Sequence, residues 1–467
     1  MIRRITLVSL LGNGNVRHVH CIGVGGIGVS ALAEILLQRG FTVSGSDVKD
    51  SDRLAYLRSL GAEIFVGHKG EQLKQSDMVV YSSAIDENNP EFRRAIEVGL
   101  NLVKRGYLLA DIMQFYRSVA VSGTHGKTTT TALISHVLIT AGIDPTYFIG
   151  GIPCNTQSPV HIGESDIFIA EADESDASFL YMQPTYAVVT NVECDHMSTY
   201  AGSEEELRQS FLLFLKRVPQ DGYAVVCVDD TNIQQLLPQV TCNVISYGTS
   251  QQAAYRVEDY RQQGVQGFAT IITPQGPLDV VLNAPGIHNM KNAVAAIIVA
   301  HRLGIKNESI LTALKIFPGV GRRFQQHGKI TYDGRTATIY EDYGHHPTEI
   351  RETYRAAQQA FPNQRIVLIF QPHRYTRTRD LLHDFVAVLS QVEQLILLPT
   401  YAASEAVIEG ATSEALCGYL RAQGSQVVML EQVAVRAYLQ QSLHDGDIVF
   451  FQGAGDVGKL AQAITDE

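Results

Sequence analysis

The sequence predicts an α/β protein of three domains, in which a central domain with a phosphate-binding loop (P-loop) lies between two Rossmann-like domains. Strand-like and helix-like segments alternate along nearly the whole chain, which predicts parallel sheets covered by helices. Glycine-rich turns follow a strand near each end and again in the middle. The 467 residues exceed what one hydrophobic core can organise. We expect domains at residues 1–108, 109–316 and 317–467.

Each predicted domain contains short apolar segments that precede helical patterns. The predicted strands are Val19–Val24, Thr42–Gly45, Met78–Tyr81, Ser118–Ser122, Thr336–Tyr340, Ile366–Phe370, Gln394–Leu398 and Asp447–Phe451. The clearest predicted helices are Val29–Gln38, Asn289–Leu303 and Glu308–Ile316. Phe317-Pro318-Gly319 then predicts a hinge at the exit from the central domain.

Composition excludes several classes of protein. Hydrophobic residues make up 45% and charged residues 18%, which is ordinary for a globular protein. A net charge of -11 disfavours a broad surface for nucleic acid or anionic membrane. The 6 cysteines have no CxxC spacing, which disfavours a zinc cluster or a disulfide framework and favours a reducing cytosol.

The start of the chain resembles a weak signal peptide. Met1–Leu11 has two arginines before a short apolar run, but no small-residue cleavage site follows. No apolar stretch approaches the roughly 20 residues that span a bilayer. We therefore expect a cytoplasmic protein without membrane insertion.

The strongest motif lies between an apolar strand and a helix, and it reads Ser122-Gly123-Thr124-His125-Gly126-Lys127-Thr128-Thr129. Backbone N–H groups at a helix start can hold phosphate, Lys127 can span the β- and γ-phosphates, and Thr128 can bind Mg²⁺. Val121 occupies the place of the usual first glycine, so this is the shorter GTxGKT form. The alternative is a chance glycine-rich turn.

Acidic residues follow the next apolar strand. Glu171 stands at the end of that strand, where a carboxylate beside a phosphate loop can hold hydrated Mg²⁺. Glu174 and Asp176 fit better as members of a solvated acidic loop. His196 ends another strand-to-loop segment, but imidazole is a poor Mg²⁺ ligand, so chemistry alone favours a structural role.

Two further loops match GxGxxG. The first contains Gly23, Gly25, Gly26 and Gly28, with Asp47 about 20 residues later, which is the pattern of NAD binding. A UDP-sugar offers the same diphosphate, so both ligands stay open. The second match, 453–458, lies too near the end of the chain for a ribose-binding acid to follow, and it predicts a tight strand-to-helix turn.

The third domain presents polar residues where its strands end. The adjacent histidines 345 and 346 cannot readily aim both rings at one metal, so we expect a helix to begin at Pro347, with His345 free for a substrate or a nucleotide. Arg374 and Arg377 follow the strand Ile366–Phe370 and can form a fork for a carboxylate. The alternative is an exposed basic turn.

Several long strings together resemble the Mur ligase family, over about Val19 to Gly458. These strings are GVGGIGVSALAE, GTHGKTTTT, EADESDASFL, TNVECDHMSTY, GIHNMKNAVAA, FPGVGRRF, YEDYGHHPTEI and FQPHRYTRT. They are most similar to the alanine-adding branch. The resemblance implies a cytoplasmic ligase that uses ATP and Mg²⁺ to join L-alanine to UDP-N-acetylmuramic acid through an acyl phosphate. Such an enzyme supplies peptidoglycan precursors, on which the cell wall, cell shape and division depend.

The same resemblance implies roles for individual residues. It places ATP at Gly123, Thr124, His125, Gly126, Lys127, Thr128, Thr129, Asn289, Asn292, Arg323 and Asp342. It places Mg²⁺ at Thr128, Glu171 and His196, the UDP-sugar at Gly23, Gly25, Gly26, Gly28 and Asp47, and the amino acid at Tyr343, His345, Arg374 and Arg377. The implied catalytic residues are Lys127, Glu171, His196, His345, Arg374 and Arg377.

One device of related ligases is missing. Several of them have a carbamylated lysine on the helix after the Asp-His pair, whereas the first lysine after His196 here is Lys216. Three alternatives stay open: a ligase that recycles a ready-made tripeptide, an NAD-dependent dehydrogenase, and a nucleotide-gated binding module without turnover.

Overall fold

The computed structural model describes residues 16–82, 85–156 and 158–466. The segment Met1–Leu11 lies outside them. The described residues fall into two compact units, the first drawn from 1–150, 158–255 and 295–310 and the second from 151–157, 256–294 and 311–467. Within the described part of the chain, no helix is both long and apolar enough to cross a membrane.

The first unit begins with a parallel sheet of order β3-β2-β1-β4-β5. Its strands are β1 (His18–Ile22), β2 (Thr42–Asp47), β3 (Glu63–Val66), β4 (Met78–Tyr81) and β5 (Asn101–Lys104), and its helices are α1 (Ile27–Gln38), α2 (Asp52–Ser59), α3 (Pro90–Glu97) and α4 (Arg105–Met113). The predicted strands and helix are confirmed. The first strand ends at Ile22 rather than Val24 because Gly23 turns the chain with φ 77°.

A second sheet in this unit contains the P-loop. Its elements are β6 (Arg117–Ser122), α5 (Lys127–Thr140), β7 (Thr146–Phe148), β8 (Val160–His161), β9 (Ile167–Glu171), β10 (Tyr186–Val189), α6 (Glu204–Lys216), β11 (Tyr223–Cys227), α7 (Thr231–Leu236) and β12 (Asn243–Gly248). Strand β6 lies between β9 and β10 and is parallel to both. Parallel strands end at the same edge, so the loop after β6 lies beside the ends of β9 and β10.

The second unit contains antiparallel strands that the sequence analysis did not predict. They are β13 (Tyr255–Gln263), β14 (Gln266–Thr273) and β15 (Gly276–Leu282), and the chain continues into α8 (Ile287–Arg302) and α9 (Asn307–Lys315). The strands join through turns at Gly264 and Gly276, both with positive φ. The predicted helices Asn289–Leu303 and Glu308–Ile316 are confirmed as α8 and α9.

The last sheet has the order β16-β17-β21-β18-β19-β20 and is parallel except for β16. Its strands are β16 (Gln325–Tyr332), β17 (Arg335–Asp342), β18 (Ile366–Phe370), β19 (Gln394–Leu397), β20 (Val427–Met429) and β21 (Asp447–Gln452). Its helices are α10 (Pro347–Ala360), α11 (Tyr375–Asp380), α12 (Leu382–Leu389), α13 (Ser413–Ala422), α14 (Gln432–Ser442) and α15 (Val457–Thr465). The four strands predicted here are confirmed.

Successive residues of these strands pack into two separate cores. Phe370 and Phe450 belong to one buried cluster, whereas Ile369 and Phe451 belong to another. Side chains alternate between the faces of a sheet, so both faces of this sheet are buried. This explains why β18 is apolar throughout and why the polar residues of β21 stand only at its two ends.

Candidate active site

Two glycines allow the backbone conformation of the P-loop. Gly126 precedes α5 in the left-handed conformation, with φ 82°. Gly123 has φ 132°, and a Cβ atom there would collide with the Thr190 hydroxyl. Any other residue would therefore strain the backbone or push the loop off its neighbour. Helix α5 begins at Lys127, so its first N–H groups point into the loop.

The loop is fastened to the segment that follows β10. The N–H of His125 donates to Asn191 Oδ1 at 2.8 Å, and the Thr190 hydroxyl donates to the His125 carbonyl at 2.5 Å. The N–H of Glu193 donates to the Thr124 hydroxyl at 2.8 Å. These bonds fix the phosphate loop against the segment that follows β10, which reduces the ordering that nucleotide binding requires.

Lys127 is paired with a buried glutamate. Its Nζ donates to the carbonyls of Gly123 at 2.8 Å and Thr124 at 3.2 Å, and it lies 2.7 Å from Glu174 Oε2. Glu174 is only 2% exposed, and the Tyr200 hydroxyl donates to its carbonyl. The interpretation of Glu174 as a solvated loop residue is therefore wrong. Its carboxylate points inward, where it balances the charge of the buried Lys127 ammonium.

Burial changes the pKa values of both members of this ion pair. It raises the pKa of Glu174 to about 7, even though Lys127 acts to lower it. Burial also lowers the pKa of Lys127, but three nearby carboxylates, chiefly that of Glu174, outweigh burial, and the net shift is upward. The ammonium therefore keeps its charge at neutral pH. An incoming phosphate would meet a cation that is already desolvated.

Glu171 and Thr128 lie together beside Lys127. The Thr128 hydroxyl lies 3.0 and 3.2 Å from the two carboxylate oxygens of Glu171, and the N–H of Gly150 donates to Oε2 at 2.8 Å. A hydroxyl and a carboxylate are the hard oxygen ligands that Mg²⁺ prefers, so these two residues fit the ion. The structure thus brings together two of the three predicted metal ligands.

His196 has a different local setting. It adopts φ 52°, its N–H donates to Asp195 Oδ1 at 2.8 Å, and its Nε2 lies 3.5 Å from Asp195 Oδ2. The carboxylate orients the ring at the tip of the polar segment. Its role as a metal ligand stays a prediction.

The first glycine-rich loop already holds a carboxylate. The N–H of Gly25 donates to Asp47 Oδ2 at 2.9 Å, and Gly26 caps the start of α1. A Cβ at Gly25 would lie 2.8 Å from Asp47 Oδ2, and one at Gly28 would collide with the guanidinium of Arg105. A diphosphate on this amide would displace Asp47 and meet Arg105. The sequence analysis missed Arg105, and no local motif marks it.

Three residues that the resemblance places at ATP, Asn289, Asn292 and Asp342, have partners within the protein. Asn289 Nδ2 donates to the Pro285 carbonyl at 2.7 Å, and Asn292 Nδ2 donates to Asn289 Oδ1 at 3.4 Å. Asp342 accepts the N–H of Gly344 at 2.8 Å and three further donors, and burial raises its pKa. Asp342 thereby organises the end of β17. The nucleotide roles stay predictions.

Four rings form a row where the strands of the last sheet end. The ring centroids of Tyr343 and His345 are 5.3 Å apart, those of His345 and His373 are 5.8 Å apart, and those of His373 and Tyr401 are 5.6 Å apart. The planes of the last two rings are nearly parallel. The guanidinium of Arg323, a predicted ATP ligand, lies 5.0 Å from the centre of the Tyr343 ring. We call Tyr343, His345, His373 and Tyr401 the ring row.

Arg374 and Arg377 lie at this row but have different partners. Arg377 is 8% exposed, and its Nη1 lies 3.4 Å from His373 Nδ1. The Arg374 side chain is 50% exposed and lies 3.8 Å from Glu405 Oε1. They are therefore not equivalent arms of one fork. The sequence analysis did not name His373, Tyr401 or Glu405 as candidate site residues. Because β18 and β19 are parallel neighbours, the residues that follow both strands lie at the same edge of the sheet, and this could have indicated them.

Other local predictions in this unit are confirmed. Helix α10 begins at Pro347 with a capping box between His346 and Glu349. The 453–458 loop joins β21 to α15 as a tight turn. Arg322 Nη2 stabilises it by donating to the Gly453 carbonyl at 2.9 Å, and a Cβ at Gly458 would collide with Glu341.

Comparisons with known proteins match almost the whole chain. Family models described as the catalytic domain of the Mur ligase family, the Mur ligase middle domain, and the glutamate ligase domain of Mur ligases match residues 18–117, 121–300 and 322–455. A UDP-N-acetylmuramate–L-alanine ligase of Coxiella burnetii is 47% identical over 454 residues, which cover 96% of this chain and 97% of that protein.

Two solved structures have a similar fold. The UDP-N-acetylmuramate-alanine ligase of Thermotoga maritima is 28% identical, with a TM-score of 0.76 and coverage of 96% of this chain and 98% of that one. A murein peptide ligase of Psychrobacter arcticus is 21% identical, with a TM-score of 0.66 over the same shares, and it shows the fold alone.

The Lys127–Glu174 pair leads to a test of stability and nucleotide binding. Glu174→Gln removes the carboxylate that is paired with the buried Lys127, so we expect the variant to lose roughly 3 kcal/mol of stability when no ATP is added. ATP phosphates then restore a negative charge, so ATP should raise the thermal midpoint more in the variant than in the wild type.

Asp176→Asn is the matched control because Asp176 is exposed in the same loop. It should change neither the midpoint nor the ATP-induced shift. Differential scanning calorimetry with and without ATP measures both quantities. An equal or smaller ATP-induced shift in Glu174→Gln would contradict the role assigned to the pair.

Proposed function

Because this chain belongs to the Mur ligase family, we propose that it uses ATP to join L-alanine to the carboxylate of UDP-N-acetylmuramic acid. The products are the amide, ADP and phosphate. The reaction would take place in the cytoplasm, as a step in the synthesis of peptidoglycan precursors. The observation that supports this most strongly is the 47% identity to an L-alanine ligase over nearly the full length of both chains.

We assign the substrates to three successive domains. Residues 1–108 are assigned to the UDP-sugar, 109–316 to ATP, and 317–467 to the amino acid, in line with the order of the three family matches. The first proposed boundary falls within α4, which runs from Arg105 to Met113. We also assign the diphosphate of the UDP-sugar to the loop with Gly25 and to Arg105.

The first chemical step activates the muramoyl carboxylate. A carboxylate is a poor electrophile, so its oxygen attacks the γ-phosphate of ATP, ADP leaves, and an acyl phosphate results. Lys127 stabilises the charge on the phosphates during transfer, because its ammonium is held in the loop and desolvated. Thr128 and Glu171, with His196, would hold Mg²⁺, which supplies further positive charge to the phosphates.

The second step forms the amide. The neutral amine of alanine attacks the acyl carbon, and the tetrahedral intermediate expels phosphate. Attack requires the amine to face that carbon, so the alanine carboxylate must be fixed at the other end of the molecule. We assign this to Arg377 and Arg374, with Tyr343 and His345 as the adjacent walls, since a guanidinium binds a carboxylate with directed hydrogen bonds.

An ADP-release assay tests the proposed reaction. The wild type should release ADP only when ATP, Mg²⁺, UDP-N-acetylmuramic acid and L-alanine are all present, and mass spectrometry should detect the alanyl amide. Lys127→Ala is the control, and it should lose about 10³-fold in turnover or more because the phosphates lose their cation. Turnover with a tripeptide but not with alanine would overturn the proposal in favour of a recycling ligase.

The different environments of the two arginines predict different substitution effects. Lysine cannot reproduce the paired donors of a guanidinium, so Arg377→Lys should raise the alanine KM by about tenfold or more. Arg374→Lys should raise it less, because Arg374 is half exposed and shares its charge with Glu405. The KM values for ATP and UDP-sugar should not change. Equal alanine KM values in both variants and the wild type would place the alanine site elsewhere.

A further inference from the structure

His373 occupies a fixed position in the ring row. Its ring is stacked on Tyr401 at an interplanar angle of 7° and lies 5.8 Å from the ring of His345. The backbone on both sides is tied down, because the N–H of Arg374 donates to the Tyr401 carbonyl at 2.9 Å and the N–H of Tyr401 donates to the Pro372 carbonyl at 2.8 Å. The imidazole is thus held where the strand β18 ends.

The contact with Arg377 defines the tautomer of this ring. Arg377 Nη1 lies 3.4 Å from His373 Nδ1. A guanidinium has donors only, so Nδ1 must be the acceptor, and the ring proton of the neutral imidazole must lie on Nε2. The geometry therefore describes a hydrogen bond from a buried cation to an uncharged ring.

The surroundings of His373 keep it uncharged. Burial, together with the charges of Arg377 and Arg374, lowers its pKa to about 4, while Glu405 acts in the opposite direction. At neutral pH the ring accepts a hydrogen bond without adding charge. This matters because a carboxylate partner would compete with a substrate carboxylate for the same guanidinium, as Glu405 does at Arg374.

We propose that His373 is a positioning residue for the amino-acid substrate: by accepting a hydrogen bond from Arg377 it holds the guanidinium in the orientation that binds the substrate carboxylate. This rests on the proposed function, which assigns that carboxylate to Arg377. An arginine side chain has many rotamers, and fixing one of them before the substrate arrives removes part of the entropy cost of binding. His373 acts through Arg377.

Three substitutions separate the hydrogen bond from the packing. Asn places its Oδ1 at the position of the imidazole Nδ1 and keeps an acceptor there. Gln places its Oε1 at the position of Nε2, too far along the side chain. Phe keeps a ring that can stack on Tyr401 and make the tilted contact with His345, but it has no acceptor. Alanine KM and kcat are measured by ADP release, with KM values for ATP and UDP-sugar as internal controls.

We expect His373→Phe and His373→Gln to raise the alanine KM by about fivefold or more, and His373→Asn to keep it within about threefold. The other two KM values should not change. A purely structural role predicts the opposite order, with Phe tolerated best because it preserves the stack. That order, or equal alanine KM values in all three variants, would overturn the proposal.

A double-mutant cycle tests whether His373 acts through Arg377. His373→Phe should raise the alanine KM much less when Arg377 is already lysine than when it is arginine. Effects that simply multiply would overturn the proposal. Failure of the proposed function would appear separately, as a wild type that does not turn over with alanine, and the same rank order would then be measured with the amino acid that it accepts.

Discussion

The ion pair between Lys127 and Glu174 is the constraint on which the central part of the molecule depends. A buried ammonium must have a counter-charge, and Glu174 supplies it from the acidic segment after β9. This contact draws that segment against the phosphate loop. It also brings Glu171, three residues earlier, to the hydroxyl of Thr128. The phosphate site and the candidate metal site are therefore organised by the same interaction.

The parallel sheets determine where the other functional side chains lie. Central parallel strands such as β10 and β18 are apolar along their length because both faces are covered, and polar residues begin where these strands end. The phosphate loop follows β6, Asp47 ends β2, and His373 follows β18. Contacts with residues from other segments then fix some of these polar side chains in one orientation. Arg377 is held in this way by its contact with His373, and His125 by its hydrogen bond with Asn191.

Sequence alone predicted the parallel sheets, the P-loop and the position of Glu171 beside that loop, since each depends on a local motif or on the shared edge of parallel strands. Prediction from the sequence failed where the position of a side chain depends on residues far away in the chain. The burial of Glu174 depends on Tyr200 and Lys127, which no motif in the acidic run reveals. The antiparallel strands β13 to β15 were not predicted because they interrupt the strand-helix rhythm of the rest of the chain.

A double-mutant cycle between Lys127 and Glu174 tests the central claim most directly. Lys127→Met, Glu174→Gln and the double variant are unfolded in urea without nucleotide. Each single substitution leaves a buried polar group without its partner, whereas the double variant removes the charge of both. We expect the double variant to be more stable than the sum of the single losses by about 1.5 kcal/mol or more. Additive losses would contradict the account.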